Sequence, residues 1–109
     1  MNMTNKETQS LLRLSIQRAL LGEVTNQLFA VTASIESKLA RIAGKDGKLI
    51  KIIAYYEGVV SAEDLETIQC VGAEVIADFP EGFFVDEVCL SLNENELQML
   101  DFWAFMKKS

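Results

Sequence analysis

The stretch KLIKIIAYYE, Lys48 to Glu57, carries apolar side chains on both sides of an extended chain: Leu49, Ile50, Ile52, Ile53, Tyr55 and Tyr56. Successive side chains of a strand point to opposite faces. A strand apolar on both is stable only inside a sheet covered on each side, or one packed against a partner. The chain has 109 residues, half of them apolar, and one proline. That suffices for one domain with a single core, and it is not the composition of a disordered segment.

The other elements arrange themselves around that strand. Thr4 and Glu7 have capping-box spacing, and Leu12, Ile16, Ala19 and Leu20 then share one helical face, widened by Leu11, Leu14 and Leu21. Gly22 is a stop signal, so a helix is predicted over about 6–21. From Leu28 to Glu36, Phe29, Val31, Ala33 and Ile35 alternate with Ala30, Thr32, Ser34 and Glu36, a strand period. The following ESKLARIAGKDGK fits a helix through Ile35, Leu39 and Ile42, or a long hairpin arm that turns at Asp46-Gly47; the arm is the reading taken here.

Ser61 caps a second helix, with Asp64 at its third position. Leu65, Ile68, Gly72, Val75, Ile76 and Phe79 form its inward stripe, while Glu63, Glu66, Cys70, Glu74 and Asp78 project to the opposite side. Pro80 ends it, and Glu81-Gly82 makes a turn. Alternation of Phe84, Val88, Leu90 and Leu92 with Val85, Glu87, Cys89 and Ser91 marks another strand, LNENELQ a polar loop, and Leu100 to Met106 an edge strand or short helix, read as a strand. The expectation is one α+β domain over residues 1–109: a mainly antiparallel four-stranded sheet with two helices on one face, in the order α-β-β-α-β-β.

Charge is unevenly placed. Net charge is −6; Met1 to Lys51 holds eight basic and four acidic residues, and Ile52 to Met106 holds twelve acidic residues and no basic one. A base-free half would repel phosphates, which argues against direct nucleic-acid binding and favours a basic protein partner steered in electrostatically. With no histidine, and no phosphate loop or nucleophile motif, the pattern does not point to an enzyme. Glu66 and Glu74 beside Cys70 would raise a thiol pKa rather than activate it. Cys70 and Cys89 match neither a disulfide framework nor a zinc spacing and read as small buried thiols, and DFPEGFFVDE lacks the ligand rhythm of a calcium loop, so no metal or cofactor is expected. Glu7, Arg13 and Arg18 interrupt any leader-like apolar run, and no stretch is long enough to span a bilayer, which predicts a cytoplasmic protein without membrane contact.

The candidate contact residues are therefore carboxylates: Glu57, Glu63, Glu66, Glu74, Asp78, Glu81, Asp86 and Glu87, with Tyr55, Tyr56, Phe83 and Trp103 as a possible apolar centre. The competing reading is a structural or regulatory homo-oligomer, such as a homodimer joined through strand edges, with no dedicated ligand. The segments LLRLSIQRALLGEVT, IIAYYEGVVSAEDLE and GAEVIADFPE bear on that choice. Over about residues 10–92 the chain resembles small acidic bacterial immunity proteins of the polymorphic-toxin and contact-dependent-inhibition type. The resemblance rests on the run from Arg18 to Gly22, the Tyr-Tyr-Glu-Gly turn, the capped helix and Ile76 to Pro80. It implies a compact, non-enzymatic, cytoplasmic protein that binds one cognate toxin, blocking its active site or sitting beside it. Toxins of the nuclease kind tend to be basic, which suits an acidic inhibitor.

Overall fold

The computed structural model describes residues 3–108. Its elements follow the expected order: α1 (Asn5–Ala19), β1 (Leu28–Ile42), β2 (Lys45–Tyr56), α2 (Ala62–Ala77), β3 (Phe83–Ser91) and β4 (Phe102–Met106). The strands form one sheet in the order β3-β2-β1-β4. β1 pairs antiparallel with β2 and with β4, whereas β2 and β3 are parallel. That parallel pair follows from the connection, because α2 carries the chain back along the sheet before β3 begins.

Both helices open on full capping boxes, Thr4 with Glu7 and Ser61 with Asp64. The Glu7 carboxyl is held below its ordinary pKa by the backbone and side-chain hydrogen bonds of Thr4. Both helices lie on one face of the sheet. Leu12, Ile16, Ile68, Val71 and Val75 meet Val31, Ala33, Ile50, Ile52 and Ala54 there in a single buried cluster. Of the expected inward residues, Leu14, Leu21 and Leu65 are exposed instead, and Val71 is buried. The apolar stripe of each helix is thus narrower than a count of leucines suggests, because the sheet beneath offers one contact line per helix.

The opposite face answers the demand made by β2. β3 and β4 occupy the two edges of the sheet, so the segment between them, LNENELQMLD, crosses the face that the helices leave bare. Ile53, Tyr55 and Ala30 are buried beneath it, with Leu92, Leu100 and Trp103 packed around them. The Tyr55 hydroxyl donates to the Gln98 carbonyl at 3.3 Å and accepts from the Gln98 N–H at 3.2 Å. Thr32 Oγ1, fully buried, donates to the Phe102 carbonyl at 2.6 Å and accepts from the Leu100 N–H at 2.8 Å. The polar loop of the sequence reading is therefore a lid on a second small core.

The hairpin reading holds, with its turn moved. β1 and β2 are joined at Ala43-Gly44, both with positive φ (52° and 79°), as a type I′ turn requires. Asp46 and Gly47 lie inside β2, opposite Arg41 and Ala40. Gly47 serves another purpose: a Cβ there would come within 2.6 Å of both the Gly82 carbonyl oxygen and the Phe84 ring. Beyond Ile35 and Lys48 neither strand has an outer neighbour, so the hairpin extends past the sheet as a two-stranded finger, and the molecule measures 41 × 27 × 23 Å. A register shift between Leu28 and Ala30 turns Phe29 to the lid side, away from the face that Val31 and Ala33 share. No helix among the described residues is long and apolar enough to cross a membrane.

Candidate functional site

α2 buries Ile68, Val71, Gly72 and Val75 against the sheet, and helical periodicity then sends Glu63, Glu66, Cys70 and Glu74 outward together. All four are exposed, in a row about 17 Å long from Glu63 to Glu74 at 1.5 Å per residue. Among the described residues no lysine or arginine lies within 4.0 Å of these three carboxylates, since the ion pairs there are Arg18–Asp78, Arg41–Asp46 and Lys107–Glu57. The row is an exposed line of carboxylates that make no ion pair among the described residues, with Arg18 beside Glu74 at its C-terminal end.

The other five candidate carboxylates divide differently. Asp78, the C-cap of α2, receives the Ser15 hydroxyl at 2.7 Å and lies 3.5 Å from Arg18, so α1 neutralises it. Glu57 is held by the Lys107 ammonium at 2.6 Å. Glu81 is exposed on the turn beyond α2, close to the end of the row. Asp86 projects from the lid side of β3, in register with Lys51 of β2. Glu87 takes the opposite direction, towards the helices. A Cβ on Gly72 would lie 2.6 Å from its carboxyl carbon, and its Oε2 is buried with no hydrogen-bond partner among the described residues. Burial, with the neighbouring Asp86 charge as a second cause, pushes the Glu87 pKa up. Thus Glu63, Glu66 and Glu74 share one face of α2 and Glu81 lies on the turn beyond it, while Glu57, Asp78, Asp86 and Glu87 have neighbours that neutralise, oppose or cover them.

The expected apolar centre is not at the surface. Tyr55 and Tyr56 are each 2% exposed, on the two faces of the sheet. Trp103 meets Tyr55 edge-on at 6.2 Å under the lid, and only Phe83, half-buried against Phe79 at 4.9 Å, is near the acidic side. Cys70, expected inside, is exposed. Cys89 is half-buried, and its thiol is pushed up to about 11 by burial and by the nearby Asp64 charge, partly offset by a hydrogen bond from Tyr56. It is therefore protonated and unreactive at neutral pH. Burial likewise raises the Tyr56 hydroxyl, with Cys89 and Asp64 adding to the effect.

The sequence reading included the hairpin arm but none of its residues among the candidate contacts. Lys38, Arg41 and Lys45 lie on it beside Leu39, 67% exposed, and Ile42, 41% exposed. The signal was present in ESKLARIAGKDGK, where apolar residues occur without a continuous second face to bury them. Carboxylates on a helix and exposed apolar residues along the finger describe a binding surface. No curated protein matches the sequence. The sequence model of the MafI2 immunity protein family does match, over residues 9–109, and the chain belongs to that family.

Proposed function

We propose that this immunity protein neutralises a toxin with a basic contact surface, and that the outward row of α2, Glu63, Glu66 and Glu74, meets that surface. The carrying observation is that none of these three carboxylates makes an ion pair among the described residues. A row that served only solubility would need no such separation, since Asp78 and Glu57 are paired with cations elsewhere in the same molecule. Glu81 extends the contact past the helix end, and Glu57, Asp78, Asp86 and Glu87 contribute to the long-range field rather than to direct contact. A nuclease is the toxin class that best fits. Its phosphate-binding groove is cationic, and carboxylates seated there would exclude nucleic acid. The encounter would take place in the cytoplasm.

Co-expression with a toxin domain from the same locus, followed by affinity measurements across a salt series, tests this reading. Binding should weaken steeply with salt and should fall when Glu66→Lys and Glu74→Lys are combined. Affinity indifferent to both treatments would remove the electrostatic mechanism. A homodimer joined through an outer strand edge is compatible with the proposal as long as α2 stays free. Sedimentation showing a tight oligomer with α2 inside would contradict it.

A further inference from the structure

β3 is an outermost strand of the sheet, bonded to β2 alone. Two hydrogen bonds fix the direction of its backbone groups: the Lys48 N–H donates to the Gly82 carbonyl and the Leu92 N–H to the Tyr56 carbonyl, both at 2.9 Å. Bonded residues alternate along a strand, so Phe84, Asp86, Val88 and Leu90 turn their N–H and C=O groups to β2, and Phe83, Val85, Glu87 and Cys89 turn theirs outward. The outward groups have no hydrogen-bond partner among the described residues. We propose that an extended segment of the toxin pairs with this edge and continues the sheet. The proposal rests on the toxin-binding reading above and adds to it the conformation that the toxin presents.

The two edges of the sheet are not equivalent. β4 has five residues, Gln17 of α1 donates to its Ala104 carbonyl, and Arg13 covers its Phe102 ring. β3 offers nine residues and no proline, and α1 lies away from it, on the far side of α2. Apolar surface also flanks the open edge. Glu74 and Asp78 share a pocket with Ser15 and Arg18 of α1, so helical period places Leu65, Gln69 and Ile76 on the other flank of α2, over the outer side of β3; Leu65 is 40% exposed there. At its C-terminal end the edge runs into an open pocket of about 290 Å³ walled by Val59, Cys89 and Leu90, with Val59 87% exposed. Main-chain bonds along β3 would supply affinity, and a side chain seated in that pocket would supply selectivity.

A second copy of this chain is the poorer occupant. Asp86 and Glu87 lie at the middle of β3, so two-fold antiparallel pairing over most of the strand would set the carboxylates of both copies against one another, between two chains of net charge −6.

Amide hydrogen exchange on the whole ¹⁵N-labelled chain, alone and with the toxin domain encoded at the same locus, tests the proposal. Alone, Phe83, Val85, Glu87 and Cys89 should exchange fast and Phe84, Asp86, Val88 and Leu90 slowly; the toxin should slow the first set by at least about tenfold. Val85→Pro, which removes one outward N–H, should weaken toxin affinity by about tenfold, with slow exchange at Phe84 and Val88 reporting an intact sheet. Fast exchange of the outward set in the complex, or unchanged affinity of a folded Val85→Pro chain, would overturn the proposal. Protection of that set in the free chain that grows with its own concentration would instead make the occupant a second copy. Salt-sensitive binding without β3 protection removes this inference and leaves the α2 row in place, whereas β3 protection with indifference to Glu66→Lys and Glu74→Lys does the reverse.

Discussion

α1 and α2 lie side by side on one sheet face, begin with the same capping device and bury matching stripes, yet they treat charge in opposite ways. On α1 both arginines lie at the surface but have partners: Arg13 stacks over the Phe102 ring at 4.2 Å, and Arg18 reaches Asp78. α2 sends Glu63, Glu66 and Glu74 to solvent without partners among the described residues. The first pattern belongs to a helix whose charges serve the fold, the second to one whose charges remain available to something else. Packing on one face and recognition on the other are thus separable on α2, because each uses its own helical positions.

The packing half of the comparison carries the largest expected effect. Ile16→Ala on α1 and Ile68→Ala on α2 remove side chains that are both fully buried, and each should cost about 3 kcal/mol in chemical denaturation. A much smaller loss for one of them would show that the helices do not share the core equally. Reversing Glu63, Glu66 and Glu74 to lysine should lower toxin affinity by about tenfold to a hundredfold while leaving the midpoint of denaturation nearly unchanged. Lys6→Glu on exposed α1 should shift the same affinity by less than about twofold. Equal responses would erase the distinction between the helices.

Glu87 gives a smaller effect, under α2. Its folded pKa lies above the unfolded value, so the folded state holds the proton more tightly. Stability from this group is complete below the ordinary carboxylate range and is lost as pH rises through the raised value. Glu87→Gln should therefore gain about 1 kcal/mol at neutral pH and flatten the pH dependence of the denaturation midpoint above the carboxylate range. Unchanged stability at neutral pH would mean that Oε2 finds a partner in solution. Least of all, Arg18→Gln should change stability by under about 0.5 kcal/mol, because the pair is exposed and Ser15 still donates to Asp78.

Much of the architecture was legible in the sequence. Both capping boxes, the two-faced β2 and the order of elements depend on residues close together in the chain, whose preferences act locally. The turn at Ala43-Gly44 was not, because Asp46-Gly47 carries the stronger local signal. Gly47 is needed instead where the Gly82 backbone approaches from a distant part of the chain. For the candidate site, the outward row of α2 followed from helical period alone. The fates of Asp78, Glu57 and Glu87 did not, since Arg18, Lys107 and Gly72 lie 60, 50 and 15 positions away from them.

The sequence by itself determined where helices begin, which strand needs cover on both faces, and that one half of the chain lacks cations. Only the tertiary structure decided which carboxylates remain free, that a polar connection closes the second face, and that the outer edge of β3 stays open. The physical reason is range. Capping and periodicity act over a few residues, whereas neutralisation and enclosure depend on groups brought together by the crossing of the chain.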